Sequence, residues 1–203
     1  AQMLIAGSPR VDYLTDHERQ AELRKAVRRK YAIPGDRQVV LFAPTFRKGS
    51  ALPLAELVAA FDFDRYTLVF RKHPLDHLTE ISDSRIVVPD EREGIEILAM
   101  ADHVVTDYSA IAFETTLLDI PLYFWAFDLE DYSTKRGFAM DFVAEAPGPI
   151  LTDARDVMDA ITAPHDYSTQ YAAFRSRYIQ TRDFNNSERI VRALLEDTRA
   201  NSR

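Results

Sequence analysis

The 203-residue sequence contains no cysteine. This absence excludes a disulfide framework, a thiolate metal site and a cysteine nucleophile, and it is compatible with a reducing compartment. No apolar run approaches the roughly 20 residues that a membrane-spanning helix needs, and the N-terminus has no signal-peptide pattern. We therefore expect the chain to work in the cytoplasm.

Positive charge is not in excess either. The chain carries 25 Lys and Arg against 32 Asp and Glu, which gives a formal net charge of −7. Proteins that bind nucleic acid neutralise its phosphates with a basic face, so no nucleic-acid partner is expected. Any phosphate group must instead be bound by a few local cations.

Two common ligand-binding signatures are also missing. The sequence has only six glycines, and it contains no Walker-type loop and no Gly-x-Gly-x-x-Gly motif, which argues against an ATPase or a dinucleotide-dependent dehydrogenase. We expect no metal site, because none of His17, His77, His103 and His165 shares a predicted helix with a His or Glu at the i,i+4 spacing of a helical zinc site.

Apolar runs of strand length alternate with helical segments over the first 150 residues. This alternation predicts an α/β fold with a mostly parallel sheet flanked by helices. Strands are predicted at 3–6, 39–43, 67–70, 86–88, 103–106 and 122–125. Helices are predicted at 16–31, 54–61, 94–100, 110–118, 154–161, 167–181 and 187–197. We expect one domain over 1–203, with its core at 1–150 and a helical C-terminal segment at 151–203.

The segment Arg71-Lys72-His73-Pro74 directly follows a predicted strand. Ligands of parallel sheets bind beyond the carboxyl ends of the strands. Two cations can hold phosphate oxygens by charge-assisted hydrogen bonds, a positioned imidazole can donate or accept a proton, and proline stiffens the exit from the strand. The alternative for this segment is a solvated basic turn.

A second polar segment, residues 106–110, leads from a predicted strand into a predicted helix. The hydroxyl of Ser109 and the backbone N–H groups at the helix start can bind an anion, with help from the helix dipole. Glu114 lies one turn later and is placed to reach a sugar hydroxyl above the helix start. Alternatively, Asp107 and Ser109 are ordinary helix caps and Glu114 is an ordinary surface acid.

Two further loops carry residues that suit a nucleotide. The loop after the second predicted strand offers the hydroxyl of Thr45 and the guanidinium of Arg47, although loops of this composition are common. In the first turn of the chain, Arg10 is a candidate phosphate ligand and Gly7 permits a close backbone approach.

Seven segments match one known family in order and approximate spacing. They lie at 7–12, 43–47, 71–74, 101–109, 127–132, 136–138 together with 141–142, and 146–149. Each segment alone is a weak signal, whereas seven in this order are specific. With them, most of the chain resembles the C-terminal half of the CDP-glycerol glycerophosphotransferase family, the teichoic acid primases and polymerases.

The resemblance implies a two-domain fold of the GT-B glycosyltransferase type, of which this chain is the C-terminal, Rossmann-like half. This half would bind a CDP-alcohol, either CDP-glycerol or CDP-ribitol, with no other cofactor. A preceding half would supply the general base, the contacts to a polyol-phosphate or glycan polymer acceptor, and any peripheral contact with the inner face of the membrane. The predicted strand at 3–6, with almost nothing before it, fits a chain cut from a longer protein. The chain alone is expected to be inactive or nearly so.

The resemblance also implies catalytic roles for Arg71 and His73. Together with Arg10 and Thr45 they would grip the diphosphate, and His73 would also favour the departure of CMP. The full set of implied donor-binding residues is Gly7, Pro9, Arg10, Thr45, Arg47, Arg71, His73, Tyr108, Ser109, Ala110 and Glu114.

The turn at 108–110 would hold the rest of the donor. Ser109 and the backbone of Ala110 would bind phosphate or ribose, and Glu114 would bond the ribose. The sequence departs from the family at two positions: the family often has Asn where Val11 stands, and a second Ser where Ala110 stands. These departures concern the hydrogen bonds around donor and ribose.

The implied reaction transfers a polyol phosphate, glycerol phosphate above all, from the CDP-alcohol to a hydroxyl of a cell-wall or capsule polymer and releases CMP. One alternative is a UDP-sugar-dependent GT-B glycosyltransferase or epimerase, which would share the sheet and the acidic ribose contact. Another is a non-catalytic nucleotide-binding module within a larger protein.

Overall fold

A parallel five-stranded sheet forms the centre of the computed structural model, which describes residues 5–90, 94–179, 183 and 185–201. The strands are β1 Gln38–Phe42, β2 Tyr66–Phe70, β3 His103–Thr106, β4 Leu122–Trp125 and β5 Ile150–Leu151. Their order in the sheet is β2-β1-β3-β4-β5, and every pair is parallel. The predicted α/β fold with a mostly parallel sheet is therefore confirmed.

Helices cover both faces of this sheet. They are α1 Pro9–Leu14, α2 His17–Lys30, α3 Leu54–Ala60, α4 Ile111–Leu117, α5 Leu129–Lys135, α6 Phe142–Glu145, α7 Ala154–Thr162, α8 Ser168–Tyr178 and α9 Asn186–Asn201, with a 3₁₀ helix at Ile95–Met100. Side chains alternate along β1: Val39 and Leu41 belong to one apolar layer, and Val40 and Phe42 to the other. Because both faces of the sheet are buried, the strands appear in the sequence as continuous runs of apolar residues.

Local capping explains several helix starts. The Asp16 side chain accepts a hydrogen bond from the backbone of Arg19 at the start of α2, and Asp153 accepts one from Arg155 at the start of α7. The short helix α1 was not predicted, since its residues looked like part of a turn. The Ser8 side chain caps it by accepting a hydrogen bond from the backbone N–H of Arg10, its second residue, and proline occupies its first position.

The structure differs from the sequence-based expectation in several segments. The predicted strand at 86–88 is reduced to one parallel bridge between Val87 and Val69, and the predicted helix at 94–100 is a 3₁₀ helix. Strand β5 and helices α5 and α6 were not predicted. Of the predicted strand at 3–6, residues 3 and 4 lie outside the described part, and Ile5 and Ala6 are not in a strand. The predicted division at residue 150 stays a prediction.

The strand order positions the site. From β1 the chain passes to β2 on one side, and it then returns across β1 to form β3 on the other side. At such a reversal the loops after neighbouring strands diverge and leave a crevice beyond their carboxyl ends, which is where α/β sheets bind ligands. The loops after β1 and β3 flank this crevice. In the parts of the chain that the structure describes, no helix has the length and apolar character to cross a bilayer.

Candidate functional site

A cleft of about 560 Å³ opens at this reversal point, beyond the carboxyl ends of β1, β2 and β3. It is lined by Ala43, Pro44, Thr45, Phe46, Arg71, Lys72, His73, Pro74, Leu75, Pro89, Asp90, Tyr108, Ser109, Ala110 and Arg136. Three segments that are far apart in the sequence thus meet at one edge of the sheet.

The cleft brings together about half of the residues that the sequence singles out. Those lining it are Thr45, Arg71, His73, Tyr108, Ser109 and Ala110. The residues placed outside its lining are Gly7, Pro9, Arg10, Arg47 and Glu114. For all of them, contact with a donor stays a prediction.

His73 is held at the cleft with a defined tautomer. Its Nδ1 accepts a hydrogen bond of 3.1 Å from the backbone N–H of Leu75, and its ring stacks on Phe46 with centroids 5.3 Å apart. A nitrogen that accepts a hydrogen bond carries a lone pair, so the proton of the neutral ring lies on Nε2. His73 can therefore present an N–H donor from its other edge.

The two cations before His73 have different surroundings. The Nζ of Lys72 donates to the carbonyl of Thr79 at 2.8 Å, which closes the loop behind the cleft. The backbone N–H of Arg71 donates to Phe42 at 2.9 Å and fixes the main chain at the end of β2. None of the described acidic side chains forms an ion pair with the guanidinium of Arg71. This cation is thus available to an anion.

Asp107 joins the loops on both sides of the reversal point. It is completely buried and accepts hydrogen bonds from the backbone N–H and the hydroxyl of Thr45, both at 2.8 Å. It also accepts one from the backbone N–H of Tyr108 at 2.6 Å. Since the Thr45 hydroxyl donates its proton to Asp107, it can offer only its lone pairs to a ligand.

Arg47 lies beneath the cleft in a buried network of charges. Its side chain is 8% exposed, and its guanidinium contacts Asp107 at 2.9 Å and Asp128 at 2.7 Å. Burial lowers the pKa of Arg47, but the bonds and charges of the two carboxylates outweigh burial and raise the pKa above its ordinary value. Arg47 thus holds the loop after β1 to the start of α5.

Tyr108 completes this network from the cleft side. Its hydroxyl donates to Asp128 at 3.1 Å, and its ring packs on Tyr132, with centroids 4.0 Å apart, and on Phe138. Burial raises the pKa of Tyr108, and the neighbouring Asp128 carboxylate raises the pKa further. The phenol is therefore neutral near pH 7, and its ring forms a fixed wall of the cleft.

The turn at 108–110 leads directly into α4. The hydroxyl of Ser109 accepts from the backbone N–H of Ile111 at 3.4 Å, and the backbone of Ala112 bonds back to Ser109 at 3.2 Å. The positive end of the helix is thus at the cleft, as expected for an anion-binding turn. That this turn binds a ligand stays a prediction.

Arg10 and Glu114 form an ion pair with each other. The Arg10 side chain is 67% exposed and the Glu114 side chain 13% exposed. Sequence reasoning assigned one to the diphosphate and the other to the ribose, and it did not predict their pairing. Arg10 lies in α1 and Glu114 in α4, two helices that contact each other, and neither side chain lines the cleft.

Sequence reasoning missed three residues with evident roles here. Asp107 was considered only as a helix cap, Asp128 appeared only within a matched segment, and Arg136 was given no function although it lines the cleft. The sequence did contain a signal for Arg136, because this residue belongs to a segment that carries the family resemblance. Within the described ranges, no group of three or more His, Asp or Glu side chains is placed to hold a metal ion. The expectation that no metal is needed stays a prediction.

Comparison with known proteins supplies the context for this geometry. The chain is 33% identical over 202 residues to the teichoic acid ribitol-phosphate primase of Bacillus spizizenii, covering 94% of this chain and 52% of that protein. It is 28% identical over 213 residues to the teichoic acid glycerol-phosphate transferase of Staphylococcus aureus, covering 96% and 54% respectively. The chain thus spans about half the length of these relatives.

Solved structures agree with the sequence comparison. A variant of the wall teichoic acid polymerase TagF, soaked with CDPG, superposes with a TM-score of 0.79 at 26% identity, over 98% of this chain and 51% of that one. The UDP-GlcNAc 2-epimerase of Methanocaldococcus jannaschii, solved with UDP-GlcNAc and UDP, superposes with a TM-score of 0.55 at 14% identity, over 95% and 54%. The second likeness concerns the fold alone.

The family match covers nearly the whole chain. Residues 1–196 match the family described as CDP-Glycerol:Poly(glycerophosphate) glycerophosphotransferase. This match agrees with the resemblance seen in the seven motifs. It also agrees with the Rossmann-like sheet, whose carboxyl edge carries the cleft. The chain therefore belongs to the CDP-glycerol:poly(glycerophosphate) glycerophosphotransferase family.

Proposed function

We propose that this chain is the donor-binding half of a transferase that moves a polyol phosphate from a CDP-alcohol to a hydroxyl of a cell-wall or capsule polymer. The observation that carries the proposal is the cleft at the reversal of the strand order. It gathers a guanidinium, an imidazole N–H and a helix start, which together match a diphosphate. Glycerol phosphate is the transferred group that we favour, with ribitol phosphate as the other member of the same class.

The reaction is a displacement at the phosphorus that bears the polyol. The acceptor oxygen forms a new bond to this phosphorus, the bond to the bridging oxygen of the diphosphate breaks, and CMP leaves with the bonding electrons. Negative charge grows on the CMP phosphate as the bond breaks. Arg71 and the Nε2–H of His73 stabilise that charge, since hydrogen bonds to a developing anion are the main source of catalysis in phosphoryl transfer.

The turn after β3 positions the donor. Ser109 and the start of α4 bind a phosphate or ribose oxygen, while Asp107 fixes the turn against the loop that carries Thr45. Because the turn and the Thr45 loop are both bonded to the buried Asp107, little ordering is required when the donor binds. The proposal includes no cofactor other than the CDP-alcohol itself.

The remaining parts of the activity belong to the preceding half of the longer protein. That half supplies the general base for the acceptor hydroxyl and the contacts to the polyol-phosphate or glycan polymer. It also supplies the peripheral contact by which the enzyme, working in the cytoplasm, meets the inner face of the membrane. Support for this division comes from the curated relatives, which are about twice as long as the chain.

Calorimetric titration tests the donor class. The 203-residue chain is titrated with CDP-glycerol, CDP-ribitol, CMP and UDP-GlcNAc, each with and without EDTA. We expect a CDP-alcohol to bind more tightly than CMP and at least tenfold more tightly than UDP-GlcNAc, with no effect of EDTA. Tighter binding of UDP-GlcNAc would instead support a UDP-sugar enzyme, and loss of CDP-alcohol binding in EDTA would reveal a metal requirement.

A further inference from the structure

Arg136 lies at the end of the cleft opposite to the loop after Val87. In the order of the sheet, the cleft extends from residues 89–90 past the loops after β2, β1 and β3 to Arg136, which follows β4 and α5. Neighbouring strands lie about 4.8 Å apart, so β2 and β4, with two strands between them, are about 14 Å apart. Arg71 and Arg136 therefore approach the cleft from two sides.

The backbone holds Arg136 firmly in place. It follows the last residue of α5, and its N–H donates to Tyr132 at 2.9 Å. Gly137 adopts a φ of 70° and closes the helix by donating to Ser133 at 3.1 Å. The guanidinium lies 5.8 Å from the ring centre of Tyr132, and that ring packs on Tyr108. Arg136 is thus fixed on the Tyr108 side of the cleft.

The start of α5 is fixed as well. Asp128, directly before this helix, is held by the buried guanidinium of Arg47 and by the hydroxyl of Tyr108. Both ends of the helix are therefore attached to the wall of the cleft. A seven-residue helix without a buried side chain gains its position from these attachments.

Arg136 has the charge environment that an anion needs. Its neighbour Lys135 is paired with Asp131 at 2.5 Å, and Lys72 bonds to Thr79. Arg136 is exposed, and within the described part of the chain no acidic side chain forms an ion pair with it. Asp90 is the acid in the lining, and it lies with Pro89 at the other end. The free positive charge is thus concentrated on the Arg71 to Arg136 side.

The two ends of the cleft differ in chemistry. Beyond Arg71, the lining includes Pro74, Leu75 and Pro89, whose apolar surfaces suit a nucleobase. At the other end the lining is the turn at 108–110 and Arg136. A CDP-alcohol that placed its base against the apolar end would direct its second phosphate toward Arg136.

We propose that Arg136 binds the phosphate that is transferred, which is the phosphate esterified to the polyol. This assignment rests on the proposed function, and it adds to Arg71 a second guanidinium in the cleft, placed at the reacting phosphorus. Arg71 and His73 act on the phosphate of the departing CMP, whereas Arg136 acts on the phosphate that stays with the polyol.

Binding of CDP-glycerol and of CMP to Arg136→Gln tests the assignment. A charge-assisted hydrogen bond is lost, so the Kd for CDP-glycerol should rise about ten- to hundredfold. The Kd for CMP, which lacks the second phosphate, should change by less than about twofold. Arg136→Lys keeps the charge but loses the planar fork, and an intermediate Kd is expected.

Lys135→Gln is the matched control, since it removes one positive charge from the adjacent residue outside the cleft. It should bind CDP-glycerol as the unchanged chain does, and equal weakening would show that general electrostatics cause the effect. An unchanged Kd in Arg136→Gln, or equal weakening for CMP, would overturn the assignment while leaving the proposed function intact. If the unchanged chain bound no CDP-alcohol, the proposed function would fail first.

Discussion

Replacing Arg47 with methionine should destabilise the fold strongly. The guanidinium is 8% exposed and is shared between Asp107, which is completely buried, and Asp128. Removing one partner of a buried pair leaves a carboxylate without its countercharge, at a cost of about 3–5 kcal/mol. Total stabilities are about 5–15 kcal/mol, so this loss is a large fraction of the whole.

Thermal unfolding followed by circular dichroism measures this effect. For a chain of this size, each 1 kcal/mol lowers the Tm by roughly 2–4 °C, so a decrease of about 6–20 °C is expected. Asp128→Asn in the same chain should recover part of the loss, because it removes one of the two stranded charges. Asp107 keeps its bonds from Thr45 and the backbone of Tyr108, and these limit the loss.

Arg192→Met provides the control for this substitution. Arg192 pairs with Glu188 on the surface of α9, where both side chains are about two-thirds exposed. Exposed pairs contribute little, so the Tm should barely change. The reasoning would be refuted if Arg47→Met lowered the Tm no more than Arg192→Met, since Arg47 would then not be compensating buried charge.

Two further predictions concern stability. Burial, together with the charge of His165, lowers the pKa of His103 to about 4 against the opposing effect of Asp102, so the neutral ring is favoured in the fold. Keeping this ring neutral contributes about 3 kcal/mol to the free energy of unfolding. The contribution is complete above pH 6.5 and is lost as the pH falls toward 4. When the Tm is measured against pH, His103→Gln should flatten the curve over this range. In Gly148→Ala, the added Cβ would collide with the carbonyl of Leu122. The free energy of unfolding measured in urea should therefore fall by about 1–3 kcal/mol. An unchanged unfolding midpoint would contradict this prediction.

The sequence predicts the central strands well because their environment is simple. Strands β1 to β4 are buried on both faces, and this burial produces continuous apolar runs. The segment at 86–88 has a similar run, yet only Val87 pairs with the sheet and Val88 is 41% exposed. Strand β5 has two residues, and α5 buries none of its side chains. Neither segment therefore shows a periodic pattern of apolar residues in the sequence.

The position of the candidate site could be predicted from the sequence, but the contacts between its side chains could not. Parallel strands end at the same edge, so the loops after β1, β2 and β3 had to meet. Which side chains contact each other depends on distances that only the folded chain sets. Arg10 pairs with Glu114 across 104 residues, and Arg47 pairs with Asp128 across 81.

The strand order also bears on how the chain folds. The central strand β1 can pair with β2 early, but its other neighbour is β3, and the hydroxyl of Thr106 bonds to Ala43 across 63 residues. Closing so long a loop costs entropy before any contact compensates for it, which slows folding. The floor of the cleft lies between β1 and β3. During synthesis, the binding site therefore cannot form until the third strand has left the ribosome.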